Sequence, residues 1–333
     1  MSARKLTLIV RAPAKVNLDL RVLGVRADGF HELRTVFQSI AVHDTLVCTE
    51  SAGPFALLSK TPGVPLDESN TIWRAATALW KALGREGAVQ GVTIRIDKNV
   101  PLEAGLGGGS ADAAAALAAL ARMWRPSSDR RRGADPAALA LLRDIGAEVG
   151  ADVPFCLFGG TALGLGRGEE IYPLVDLPQY FAVVSLPPFG VSTREAYAWY
   201  DEDRAAGLRE HRELQQLPVP WPSRAAQMIN DLEPPVVRRH PEIVSVKAQL
   251  KEAGAIAAAM TGSGSAVFGL FRTRASAERA ARSLAHGGQR AFVTRTLTRA
   301  AHERLTHPVA RRRAVVRRSG DAPQTAGRVA PTR

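Results

Sequence analysis

The sequence predicts an α+β fold in two units, and three observations carry that expectation. In an early segment Val16, Leu18, Leu20 and Val22 alternate with Asn17, Asp19 and Arg21, the period-two pattern of a strand with one buried face. A strand-like VTIRID at 92–97 runs through a glycine-rich loop into an Ala-rich helical stretch ending near Trp124. Beyond about residue 166, apolar strand-like runs and helical stretches recur in mixed order. That order lacks the regular alternation of a parallel βαβ array. A chain of 333 residues is long enough for two units that share a cleft. We place the units at 1–165 and 166–305, with 306–333 as a basic tail.

Taken in order, 5–11 and 16–24 read as strands, and ADGF at 27–30 as the turn after them, with Asp28 and Gly29 at the reversal. Lys15 shares the parity of Asn17 and Asp19, so all three belong to one polar face. Further strands are expected at 33–40 and 45–49, a helix over 70–84, and a helix over 110–124. Residues 126–135 are a Pro- and Arg-rich connector, followed by a helix over 136–149. The stretch 150–154 reads as a break, since Pro154 disfavours helix at the residue before it. In the second half, strands are expected at 181–186 and 291–297, with helices at 193–200, 223–229, 241–253 and 274–286. Apolar runs at 254–260 and 265–271 flank Thr261-Gly262-Ser263-Gly264, which suggests strand, loop, strand.

The net charge of +12 is concentrated, with seven Arg against one Asp from His307 to the end. Those basic runs lack the interleaved aromatics that stack on bases, so nucleic acid is not the expected partner. A positive cleft would suit anionic small molecules. No apolar run is long enough to span a membrane. Cys48 and Cys156 lie far apart, without metal-ligand spacing, which fits a reducing, cytoplasmic setting.

The strongest local signal is Pro101, Leu102, Glu103, Ala104, Gly105, Leu106, Gly107, Gly108, Gly109, Ser110 and Ala111. Four glycines let backbone N–H groups converge as an anion nest, and the start of the following helix favours a phosphate. The Ser110 hydroxyl could cap that helix, bind a phosphate oxygen or contact Mg²⁺. No Lys follows the glycines, which excludes the P-loop pattern, and Ser110 stands where a dinucleotide fingerprint needs Gly. Alone, such a loop is as often a packing turn. Three more segments accompany it: Lys15 with Asn17, Asp152 in the break after a helix, and the second Gly/Ser cluster at 261–265. Each by itself is ordinarily a surface Lys, a turn Asp or a plain turn.

Together these segments resemble the GHMP small-molecule kinase superfamily over about residues 8–300. PAKVN is similar to its first motif, PLEAGLGGGSADAA to its second and MTGSGSAVFG to its third. RADGFHEL, GADVPFCLFGGTALGLGRGE and NDLEPPVVRRHPEI are similar to the branch acting on 4-diphosphocytidyl-2-C-methyl-D-erythritol. Other branches act on mevalonate, homoserine or sugars. The resemblance implies an N-terminal domain like ribosomal protein S5 domain 2 and a C-terminal ferredoxin-like domain, with ATP and Mg²⁺ between them. It implies Lys15 and Asp152 as the catalytic pair and residues 101–111 as the ATP loop, with Asn70 and Lys98 near the adenosine. Phe30, His31 and Tyr197 would hold cytosine, and Asn17 and Thr193 would contact the rest of the substrate. Many members carry Tyr at the position of Phe30, and Phe keeps the stacking face. Many carry a second serine where this chain has Ala111, so any hydroxyl contact rests on Ser110. The implied state is a monomer or weak homodimer.

Overall fold

The computed structural model describes residues 5–124, 136–208 and 228–311. The expected connector at 126–135, residues 223–227 of the expected helix 223–229, and the tail from 312 onward lie outside these residues.

The chain opens with two long antiparallel strands, β1 (Thr7–Val25) and β2 (His31–Pro54), then β3 (Ala56–Ser59), α1 (Thr71–Ala82) and β4 (Gln90–Asp97). Next come α2 (Gly108–Trp124), α3 (Pro136–Val149), α4 (Val153–Phe158), β5 (Thr161–Leu165) and β6 (Glu170–Pro173). The second half holds β7 (Phe181–Leu186), α5 (Thr193–Ala205), α6 (Glu233–Arg239), α7 (Glu242–Glu252), β8 (Ala257–Met260), β9 (Val267–Phe271), α8 (Arg274–His286) and β10 (Arg290–Arg295). The chain then returns through α9 (Arg299–Thr306) to β11 (Val309–Ala310). One sheet runs β11-β1-β2-β4-β3, with β5 and β6 extending from β2, and a second runs β10-β7-β9-β8.

Where separate strands were expected at 5–11 and 16–24, β1 is continuous. Register shifts between Pro13 and Lys15, Asn17 and Asp19, and Val22 and Gly24 let it bend without ending. The reversal at 27–30 is as expected, with Gly29 at φ 81° closing the turn into β2. Two expectations need correction. Residues 150–154 are not simply a break, because α4 starts at Val153 with Pro154 in its first turn, where no N–H donor is needed. Residues 306–333 are not wholly a tail, because Val309 and Ala310 pair with Ile9 and Leu8.

Three apolar clusters fill the interior. One lies between the first sheet and α1–α3, one under the second sheet's helices, and a third joins the two sheets through Val16, Leu18, Ile40, Leu106, Val184 and Phe268. The strand β1 feeds all three, with Leu8 and Val10 in the first, Val16 and Leu18 in the third, and Leu20 and Val22 in the second. The polar partners Lys15, Asn17 and Asp19 are buried as well, so β1 has no solvent face over this stretch. Among the described residues, no helix is long and apolar enough to cross a membrane.

Candidate active site

The bend in β1 sets the site. Lys15 Nζ lies 3.2 Å from Asp152 Oδ2 and donates to Asn17 Oδ1 at 2.8 Å. The Lys15 side chain is 5% exposed and that of Asp152 29%, so the pair opens on the carboxylate side. Asp152 stands at the N-cap position of α4 but its side chain makes no capping bond. The carboxylate is therefore turned to Lys15 rather than spent on the helix. Lys15 Nζ also stands 5.7 Å from the centroid of Phe37, which stacks on Phe155 of α4.

The glycine loop packs directly against this pair. The Lys15 N–H donates to Leu106 O at 3.0 Å. A Cβ on Gly107, which has φ +69°, would lie 3.0 Å from Lys15 Cε and 3.5 Å from Asp152 Oδ2. A side chain there would be strained by the positive φ and would press on Lys15. Glu103 in the same loop takes φ 52°, a conformation that costs a non-glycine residue energy. The helix α2 starts at Gly108, two residues before the expected start, so Ser110 sits inside its first turn. A Cβ on Gly150 would come within 3.9 Å of Ser110 Oγ, which puts the hydroxyl beside the segment leading to Asp152. Ala111 is 2% exposed and belongs to the first apolar cluster, so its side chain faces the core.

The loop at 261–265 closes the third side. Thr261 Oγ1 accepts from the Asn17 N–H at 3.0 Å and donates to Gly105 O at 3.4 Å. A Cβ on Gly105 would sit 2.2 Å from Thr261 O, and one on Gly262 3.3 Å from Lys15 Nζ. Asn230 holds this loop by donating to Met260 O at 3.0 Å and Gly262 O at 2.8 Å. Thr193, in the first turn of α5, meets Ser263 hydroxyl to hydroxyl at 3.2 Å.

Within electrostatic reach of Asp152 lies an aromatic group. His31 stacks on Tyr197 with centroids 4.5 Å apart, and its Nε2 is 2.9 Å from Asp201 Oδ1. Burial pushes the Tyr197 phenol well above its ordinary pKa, with the nearby Asp152 carboxylate adding to the effect. Phe30 is 55% exposed, with the Arg167 guanidinium 5.3 Å from its ring.

Two residues expected near the adenosine are held by protein partners. Asn70 caps α1 by accepting from the Ile72 N–H at 2.8 Å and donates to Pro65 O at 2.7 Å. Lys98 donates to Asp44 and, at 2.8 Å, to Asp112 Oδ2 beneath the glycine loop. Burial pushes the Asp112 carboxyl up to about 7, against the pull of Lys98.

The pattern of the GHMP kinases N terminal domain matches residues 70–160, and that of the GHMP kinases C terminal domain matches residues 214–289. A 4-diphosphocytidyl-2-C-methyl-D-erythritol kinase of Solibacter usitatus is 42% identical over 272 residues, covering 80% of this chain and 81% of the relative. One from Pelotomaculum thermopropionicum is 42% identical over 293 residues, covering 86% and 96%. The chain belongs to the 4-diphosphocytidyl-2-C-methyl-D-erythritol kinase family. A crystal structure of a 4-(cytidine 5'-diphospho)-2C-methyl-D-erythritol kinase superposes with a TM-score of 0.68 at 35% identity, covering 86% of this chain and 98% of that one. The α+β GHMP kinase fold expected from the motifs is the fold observed, and the protein is an ATP-dependent small-molecule kinase.

Membership of this family also orders what sequence reasoning missed. Thr261 and Asn230 lie inside motifs already singled out, but their roles as ties between loops depend on contacts 244 and 32 residues away. Asp44 carried no local signal at all, being an ordinary acid within a strand pattern.

Proposed function

We propose that this kinase transfers the γ-phosphoryl group of ATP to the 2-hydroxyl of 4-diphosphocytidyl-2-C-methyl-D-erythritol, giving ADP and the 2-phosphate. This is a step of the non-mevalonate route to isoprenoid precursors. The observation that carries the reading is the Lys15–Asp152 pair, 3.2 Å apart and directly against the glycine loop.

Phosphoryl transfer depends mainly on positioning and charge stabilisation. The backbone N–H groups of residues 105–110 and the positive start of α2 would hold the β- and γ-phosphates. Asp152 would orient the acceptor hydroxyl and take its proton as the new P–O bond forms and the bond to ADP breaks. Lys15 would offset charge on the phosphoryl oxygens, with little freedom to move because Asn17 and Phe37 hold it. Phe30, backed by Arg167, offers an exposed face for cytosine, and His31 with Tyr197 a second surface and a polar edge. Asn17 and Thr193 would line the path between base and phosphate, while Asn70 and Lys98 support the ATP side through α1 and the loop.

Mg²⁺ belongs with the ATP phosphates. Among the described residues there is no group of three or more His, Cys, Asp or Glu able to hold an ion. Mg²⁺ keeps waters and phosphate oxygens as ligands, and the Ser110 hydroxyl would be a further contact. When bound, the ion would neutralise charge on those oxygens. We assign the nucleotide loop to a unit ending near residue 165, and base and polyol contacts to both units, acting as a monomer or weak homodimer.

The test is ADP release in a coupled assay. Release that depends on the cytidyl substrate, with mevalonate and homoserine inactive, is the expected result. Equal turnover of an alcohol without a nucleotide would overturn the substrate assignment.

A further inference from the structure

We propose that His302 is a positioning residue for phosphoryl transfer, because one imidazole braces the supports of both Lys15 and Asp152. The proposal rests on the catalytic reading of that pair.

The helix α9 leaves the second sheet and packs back on β1, burying His302 to 1% exposure. Its Nε2 lies 2.9 Å from Cys156 O and its Nδ1 3.0 Å from Ser39 Oγ. A carbonyl only accepts, so the proton sits on Nε2, and Nδ1 then accepts from the Ser39 hydroxyl. One tautomer satisfies both contacts.

What the two partners support gives the contact its meaning. Ser39 is the cross-strand partner of Lys15 in the β1–β2 ladder. Cys156 lies one turn beyond Asp152, and its N–H donates to Asp152 O at 3.1 Å. The helix α4 has only six residues, too few to hold its own direction. Its end is fitted to the ring, since a Cβ on Gly159 would lie 2.1 Å from His302 Cγ. The Arg299 guanidinium, 4.3 Å from the Phe158 ring centroid, adds a second contact from α9 to the same turn. The C-terminal helix thus bears on the reacting groups from behind, without reaching the substrate.

A buried His that merely anchors a terminal helix would change stability and leave the turnover of folded enzyme alone. Steady-state kinetics with ATP and the cytidyl substrate on H302Q, H302N, D152N and D152N/H302N separate the two roles. Gln can place its amide nitrogen at the Nε2 position and keep the Cys156 bond, whereas Asn reaches only the Ser39 side. We expect H302N to lose about tenfold or more in kcat with both KM values within about twofold, and H302Q to restore most of it. In the D152N background, H302N should add no further loss, since coupled residues are not additive. Equal kcat for folded H302N and wild type, while D152N is inactive, would overturn the proposal and leave the reading of Asp152 standing. Full activity of D152N would instead remove that reading, and the proposal with it. If thermal unfolding shows H302N unfolded, S39A takes its place. An S39A enzyme at least threefold slower with unchanged KM supports the proposal, and wild-type turnover overturns it.

Discussion

Two lysine–carboxylate clusters flank the start of α2, and the difference between them is access. In one, Lys98 is 4% exposed and its partners Asp44 and Asp112 are 0% and 6% exposed. Asp44 is further bound by the N–H groups of Asn99 and Val100 at 2.5 and 2.7 Å. In the other, Lys15 is as deeply buried, but Asp152 is 29% exposed and makes no capping bond. The sealed cluster turns its charges on one another, with Asp112 Oδ1 buried and without a hydrogen-bond partner, and it stiffens the floor beneath Gly108. The half-open one keeps a carboxylate edge for a third party. A buried ion pair is therefore a poor marker of chemistry, and an acid that declines its own helix is a better one.

That contrast breaks if the two clusters respond alike to substitution. Asp152→Asn should lower kcat by about 10²–10⁴-fold, the usual worth of a positioned proton acceptor, with a smaller loss of stability than at the sealed cluster, because Asp152 is half-open and Lys15 keeps its bond to Asn17. Lys98→Met should do the reverse, costing about 3–5 kcal/mol of stability because it leaves buried carboxylates unpaired. Urea unfolding would read this loss, while folded enzyme at low temperature keeps most of its turnover. A large kcat loss in a fully stable Lys98→Met enzyme would erase the distinction.

A titration sharpens the same comparison at a third buried group. Burial lowers the His302 pKa from 6.5 to about 4, because the charged form loses its water. The folded state therefore disfavours the proton that the unfolded chain accepts. The stabilisation is complete above about pH 6.5 and is lost as pH falls toward 4, for a total of about 3 kcal/mol. H302Q should flatten this part of the stability–pH curve in denaturant titrations. The smallest effect belongs to the most exposed group. Phe30→Ala should raise KM for the cytidyl substrate by about 1–3 kcal/mol, the worth of one base stack, with stability and KM for ATP unmoved.

Much of this was legible in the residues. The period-two run at 16–22, the glycine loop and the cluster at 261–265 each announce backbone geometry locally, because alternation and glycine act within a few residues. The closeness of Lys15 to Asp152 was implied by the family resemblance and not by any local pattern, since it depends on bulges in β1 and on where α4 comes to rest. The engagement of Lys98 with Asp44 and Asp112 was hidden for a related reason. A lysine just after a strand looks free until Asp44, 54 residues earlier, is found beneath it. The short helices α4, α6 and α9 escaped because six to eight residues hold too few turns to show a period.

The path of β1 through all three apolar clusters has a practical consequence. Cutting the chain in the linker between β6 and β7 would not yield two self-sufficient fragments. The amino-terminal piece would carry Leu20, Val22 and Leu33 bare, lacking the residues of the second sheet's cluster that cover them. The carboxy-terminal piece would carry α9 with His302 and no groove to receive it. Co-expressed, the two would have strong reason to find each other, which makes this linker a natural seam for a split, self-reassembling kinase.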